Sequence, residues 1–295
     1  MRPKGGMMRS EDRSVAARQA VRGAELPVPD ELASALMARL LQWRVAGRDL
    51  SHSRQANMAA IDRLLRGDPF YTLGIDVVTR ALAAGRLTRE RVLEALAGRT
   101  GCSKDPALRE GPNYISPRAC LEGLWRGARL LATVRQHGGT VVFGTGHPGT
   151  MVGLYSRLAE GCRTAGCRVP VAGAGVEVQR DWFLDFVGPV ACVSDTCGLH
   201  HTHMTAAMEA YLEALPAPPD LAICDHGFAA ACLNRGVPCI VPMDTNDPAL
   251  AVAEEEGASF VLVPMNDNLP NHVMARVAEV YEALILVAPA VDRPA

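Results

Sequence analysis

Residues 140–149 read TVVFGTGHPG: a short β-branched run, a turn with three glycines in six residues, and a proline suited to the first turn of a helix. Before this point the chain is patterned for helices. Residues 31–46 carry Leu32, Leu36, Leu40 and Trp43 at spacings of three and four, which makes one buried face. A second helix is expected from Ser51 to Leu65, closed by Gly67-Asp68-Pro69, and a third over 89–97 behind the N-cap Thr88. Residues 100–115 read as loop. Residues 118–136 return to helix, with Leu121, Leu124, Ala128 and Leu131 on one stripe.

From Gly138 onward the period changes. Runs at 140–143, 168–172, 189–193, 221–224, 239–242 and 260–263 have strand composition. Helix-length segments at 149–164, 204–214, 228–234, 248–255 and 271–286 lie between most of them. Strand–helix alternation builds βαβ units, and these give a parallel sheet wrapped on both faces. The expected fold is therefore α/β. A helical region, 27–137, packs on a Rossmann-like domain, 138–295. An Arg-rich arm, 1–26, is expected to be disordered because it lacks a sustained apolar period.

Composition narrows the chemistry. The chain has 295 residues, with 30 basic against 32 acidic, so it has no surplus of positive charge for nucleic acid. Only Lys4 and Lys104 are lysines, which disfavours P-loop phosphotransfer and pyridoxal chemistry. The longest apolar stretch, 283–291, contains Pro289 and falls far short of the ~20 residues that span a bilayer. Nine cysteines without a CxxC pair suit reduced thiols in the cytoplasm.

In an open parallel sheet, ligands bind beyond the carboxyl ends of the strands. Four polar clusters fall there. The first is the turn 144–149, in which Gly144, Thr145, Gly146 and Gly149 are expected to cradle phosphate at a helix N-terminus. A plain tight turn is the alternative. Its GxGxxG form does not argue for a dinucleotide, because no acidic residue closes the next apolar run to hold a ribose. The second cluster is Gly198-Leu199-His200-His201-Thr202-His203. In extended backbone, residues two apart point the same way, so His201 and His203 present two imidazoles to one ion. The third is Asp225-His226-Gly227 and the fourth Asp244-Thr245-Asn246-Asp247-Pro248. Helix capping competes as an explanation for Asp225 and Asp247.

Carboxylates with imidazoles suit Mg, Mn, Fe or Zn. His201, His203, Asp225, Asp244 and Asp247 are the expected ligands. His147, His226 and Asp225 are the expected catalytic groups, since imidazole titrates near neutral pH. Farther upstream, 51–57 reads SHSRQAN. There Arg54 and Asn57 share a helix face, and Arg54 and His52 are expected to hold phosphate.

These elements, in this order, resemble a group of actinobacterial α/β proteins generally labelled phosphatases. The matching motifs are SHSRQAN, TGHPG (145–149), HTH (201–203), DHG (225–227) and NDPAL (246–250), within a span of roughly 30–270. The chain departs from that pattern at His200, where an aromatic residue is expected, and in its Arg-rich extension. The resemblance implies a phosphatase and assigns no nucleophile.

The favoured reading is a metal-assisted phosphomonoesterase acting on a small phosphorylated metabolite, a sugar or nucleoside phosphate. A sugar-phosphate isomerase and a non-catalytic phosphate- or nucleotide-binding module stay open. The expected partner is that small molecule, without nucleic acid or membrane. A homo-oligomer is compatible with the chain.

Overall fold

The computed structural model describes residues 27–48 and 50–288; the Arg-rich arm expected over 1–26 lies outside the described residues. The N-terminal half is helical: α1 (Asp30–Gln42), α2 (Arg54–Leu65), α3 (Pro69–Thr72), α4 (Asp76–Ala83), α5 (Arg89–Thr100) and α6 (Pro117–Gln136). Then come β1 (Val141–Gly144), α7 (Pro148–Thr164), β2 (Glu177–Gln179), β3 (Trp182–Val187), β4 (Val190–Ser194) and β5 (Leu199–His200). The rest is α8 (Ala206–Ala214), β6 (Leu221–Cys224), α9 (His226–Asn234), β7 (Cys239–Met243), α10 (Pro248–Glu255), β8 (Val261–Pro264), α11 (Asn271–Met274) and α12 (Val277–Val287).

Local chemistry sets the helix boundaries. The hydroxyls of Ser53, Thr88 and Ser116 accept from Ala56 N, Arg91 N and Ala119 N at the starts of α2, α5 and α6. Asp68 does the same for α3, with Pro69 at its first position. Gly101, at φ 76°, ends α5 in the left-handed region that glycine enters most readily. The Thr88 hydroxyl accepts its bond within α5, from Arg91 N, so Thr88→Ala is expected to cost about 1 kcal/mol in a denaturant melt and to leave catalysis unchanged.

The strands form one sheet in the order β2-β3-β4-β1-β6-β7-β8, with β5 paired to β4. The β4-β1-β6-β7-β8 portion is parallel. Its strands are buried along their whole length, which is why the sequence shows continuous apolar runs there and not alternation. Successive side chains still divide between the two faces. Val142, Ala222, Cys224 and Val241 join α2, α4, α5, α9 and α10, whereas Val141, Phe143, Ile223 and Ile240 join α1, α6, α7 and α12. Helices from 27–137 thus enter both layers.

Two expectations are corrected. The run 168–172 forms no strand; it contributes one isolated parallel bridge, Thr140 to Arg168. Pro170 has no N–H to give a ladder, and the chain instead adds an antiparallel hairpin, β2-β3, beside β4. Asp181, at φ 61°, turns that hairpin. The expected helix 271–286 is broken between Met274 and Val277 into α11 and α12. The remaining strands and helices lie within a few residues of their expected positions. Among the described residues, no helix is long and apolar enough to cross a membrane.

Candidate functional site

The chain runs from β1 outward to β4 and then returns across β1 to β6. The helices after β1 and β6 therefore leave to opposite faces, which makes this the switch point of the sheet, the position where such sheets take ligands. The turn after β1 and the Asp-His-Gly after β6 meet at this switch point. Gly146 N donates to Asp225 Oδ1 over 2.8 Å.

Close backbone packing explains the glycines. A Cβ on Gly146 would sit 2.1 Å from Thr202 O, and one on Gly227 2.2 Å from Met204 O. The HTH segment is thus wedged between the two loops, with Thr202 N donating to Gly146 O. The turn makes no open phosphate cradle. Thr145 N donates to Ala191 O, Gly146 N to Asp225 and His147 N to Thr145 Oγ1, each over 2.8 Å. A Cβ on Gly144 would strike the Phe228 ring, and one on Gly149 would meet open space. The N–H groups of Thr145, Gly146 and His147 are thus already spent on β4, on Asp225 and within the turn.

Four imidazoles gather where these loops meet. The centroids of His147 and His201 are 4.5 Å apart, those of His203 and His226 4.6 Å, and those of His201 and His226 5.2 Å. Two of the rings have a fixed orientation. His203 Nδ1 lies 2.5 Å from the Phe70 carbonyl, and the Phe70 ring stacks on the imidazole at 3.6 Å. A carbonyl only accepts, so Nδ1 carries the proton and Nε2 turns its lone pair to the cluster. His226 Nδ1 lies 2.7 Å from Asp225 Oδ1, and again Nε2 is left to the cluster. His226 holds φ 49°, a left-handed backbone that costs energy for a non-glycine residue and is found at sites that require it.

The carboxylates divide into two kinds. Asp225 is surrounded by donors: Gly146 N and His226 Nδ1 on Oδ1, and Tyr155 Oη, at 2.9 Å, on Oδ2. Burial raises its pKa, but those hydrogen bonds outweigh it and hold the carboxyl below its usual range. Asp244, Asp247 and Asp267 are buried without such a shell. Asp244 Oδ1 accepts from Thr245 N, while Oδ2 has no partner and lies 3.9 Å from His52 Nε2. Asp247 Oδ2 is 3.8 Å and Asp267 Oδ2 3.9 Å from His226 Nε2. Asp267 Oδ2 and His147 Nδ1 are also buried without partners. Burial raises all three carboxyls, Asp244 to about 6.

The imidazoles respond in kind. Burial and the neighbouring charge of His226 lower His147 and His201 to about 4 and His203 to about 2. Burial also pulls His226 down, but Asp247, Asp225 and Asp267 outweigh it and hold the ring at about 10. His147, His201 and His203 are thus neutral imidazoles with lone pairs to offer. The carboxylates around His226 hold it as the imidazolium, and a cation bound at its Nε2 would take the place of that proton. Two trios have ligand atoms within 4.8 Å of one another: His147, His201 and His226, and His203, His226 and Asp247. A divalent cation fits this donor set.

The structure brings together His147, His201, His203, His226, Asp225 and Asp247, with Asp244 and His52 at one side. Arg54 is placed differently from expectation. It is buried, and its Nε and Nη2 donate to the carbonyls of Leu108 and Asp105, so the fork points at the 105–108 loop. Sequence reasoning missed Asp267, Tyr155, Phe70 and Asn113. Asp267 had a weaker form of the signal that marks Asp225 and Asp244, an acidic residue three positions past a strand end where theirs follow directly. Asn113 Nδ2 donates to Thr245 Oγ1 over 2.6 Å, joining the 100–115 loop to the Asp244 turn. His200 stacks on Trp182 at 4.1 Å, filling the place expected of an aromatic ring. Tyr155→Phe removes a donor from buried Asp225, and we expect a loss of about 1–3 kcal/mol in a thermal melt.

Comparison with known proteins adds two likenesses. The model of a family described as "Phosphatase" matches residues 31–281. The chain is also 32% identical over 249 residues to "Phosphatase SCO2771" of Streptomyces coelicolor, covering 83% of this chain and 92% of that protein.

Proposed function

The chain belongs to the Phosphatase family, and from that premise we propose that it is a metal-assisted phosphomonoesterase acting on small phosphorylated metabolites such as sugar or nucleoside phosphates. One observation carries the metal assistance. Buried Asp244 Oδ2, Asp267 Oδ2 and His147 Nδ1 lack any hydrogen-bond partner, beside the Nε2 atoms of three further histidines at one sheet edge. Such atoms are costly to bury empty-handed and cheap to bury around a cation.

When bound, a divalent cation polarises a phosphoryl oxygen and acidifies water. The protein's own groups do the rest. His201, His203, His226, Asp244 and Asp247 are the donors. His147, expected as an acid or base, joins them, because its Nδ1 lies 3.9 Å from Asp267 Oδ1. Asp225 is a positioning residue: it fixes the His226 tautomer and ties that ring to the β1 turn. His52, partly exposed at the rim, is the imidazole placed to give a proton to the leaving oxygen.

A good leaving group needs no such proton. His52→Gln is therefore expected to slow release from alkyl phosphates by about 10²-fold and to leave p-nitrophenyl phosphate nearly unaffected. Equal loss on both would remove the acid role from His52.

A phosphate-release screen across sugar and nucleoside monophosphates tests the reading, with sugar products analysed alongside. Free phosphate with a divalent cation present supports it. Isomerised sugar without phosphate favours an isomerase, and ligand-dependent thermal stabilisation without turnover favours a binding module; either result overturns it.

A further inference from the structure

We infer that the site takes two divalent cations, bridged by Asp267, a residue that the motifs do not single out. This rests on the cation-assisted reading above and extends it.

The donors fall into two trios, one with the stacked His147 and His201 and one with His203 and Asp247, which approach each other where His201 Nε2 and His203 Nε2 lie 3.2 Å apart. The two trios share only His226. That ring has one nitrogen to offer, since Nδ1 is held by Asp225, and a single Nε2 lone pair serves one ion. The set that gives up His226 needs another donor. Asp267 supplies it: Oδ1 lies 3.9 Å from His147 Nδ1, and Oδ2 lies 3.9 Å from His226 Nε2. Its two oxygens thus face two different imidazoles, the geometry of a carboxylate spanning an ion pair, which in two-metal sites stand about 3.5–4 Å apart.

Charge points the same way. Asp225, Asp244, Asp247 and Asp267 are each at most 4% exposed. When ionised they carry four negative charges around imidazoles that are neutral as ligands. One divalent cation leaves half of that charge uncompensated in a buried site that must also admit a phosphate dianion. Two cations cancel it. Arg54, the buried cation nearest in sequence to His52, is committed to the 105–108 carbonyls by two of its nitrogens.

The experiment is a manganese titration of the full chain, stripped of metal with a chelator. Bound metal per chain is read by elemental analysis after gel filtration, and coupling is read by electron paramagnetic resonance. The expected result is two manganese ions per chain at saturation with an exchange-coupled spectrum. In Asp267→Asn the coupling is lost, with the far-ultraviolet dichroism unchanged. Saturation at one ion, or two ions without coupling in the wild-type chain, overturns the inference; the wild-type measurement decides even if the variant fails to fold. Phosphate release is followed in parallel. One ion with turnover sinks the bridged pair and leaves the phosphatase reading standing. Two coupled ions without turnover on any monoester do the reverse.

Discussion

His226→Asn is expected to reduce kcat/KM for phosphate release by roughly 10³-fold or more, beyond the 10–100-fold that disturbing an outer partner of a metal ligand costs. Asparagine is the substitution of choice because position 226 sits at φ 49°, and asparagine tolerates the left-handed region better than other non-glycine residues. The change removes the one ring that faces both Asp247 and Asp267. Asp225→Asn should cost less, about 10–100-fold, because His226 stays but its orientation is no longer enforced. The ordering of the two losses is the informative part. If Asp225→Asn proved as damaging as His226→Asn while folded, Asp225 would belong among the ligands, as its sequence context first suggests.

Gly146→Ala is expected to produce a large loss of stability. Its Cβ would come 2.1 Å from Thr202 O and 3.0 Å from His226 Cβ, so backbone must move against backbone. Overpacking typically costs 1–3 kcal/mol; with no flexible side chain to yield, we expect about 3 kcal/mol, or roughly 6–12 °C in Tm for a domain of this size. Gly149→Ala, three residues on, is the control. Its Cβ meets nothing within 4 Å, and it lies in the first turn of α7, where alanine is the better helix former. A neutral or slightly raised Tm is expected there. Equal destabilisation at both positions would show that the turn tolerates no side chain for reasons other than the Thr202 contact.

These two substitutions also mark where sequence reasoning reached and where it stopped. Strand ends are legible because a buried parallel strand must be apolar throughout, so Thr145, Asp225 and Asp244 each stand out as the first polar residue after a run, with His147 two residues beyond Thr145. The fold class follows from the same alternation. What pattern alone cannot supply is which neighbour a loop atom meets. The glycines of 144–149 suggest a phosphate cradle, yet the atom that crowds Gly146 is a carbonyl from the HTH segment more than fifty residues away in sequence. Arg54 looks like a phosphate clamp until the 105–108 carbonyls are seen to hold its fork. Asp267 was passed over because Met265 and Asn266 separate it from β8, weakening its likeness to the other strand-end carboxylates. The β2-β3 hairpin was missed because the run at 168–172 has strand composition, and composition does not register that Pro170 cannot donate.

The proposed activity is hydrolysis of phosphate monoesters at this sheet edge, with a divalent cation held by its histidines and aspartates. The direct test is phosphate release from p-nitrophenyl phosphate and small sugar phosphates by chelator-stripped full-length protein, before and after adding back manganese, magnesium or zinc. The account predicts a loss of about 100-fold or more on stripping and recovery with at least one of these ions, since the cation supplies the Lewis acid. It predicts no recovery in Asp247→Ala at the same ion concentrations. Undiminished turnover in protein shown by elemental analysis to be free of metal would contradict it.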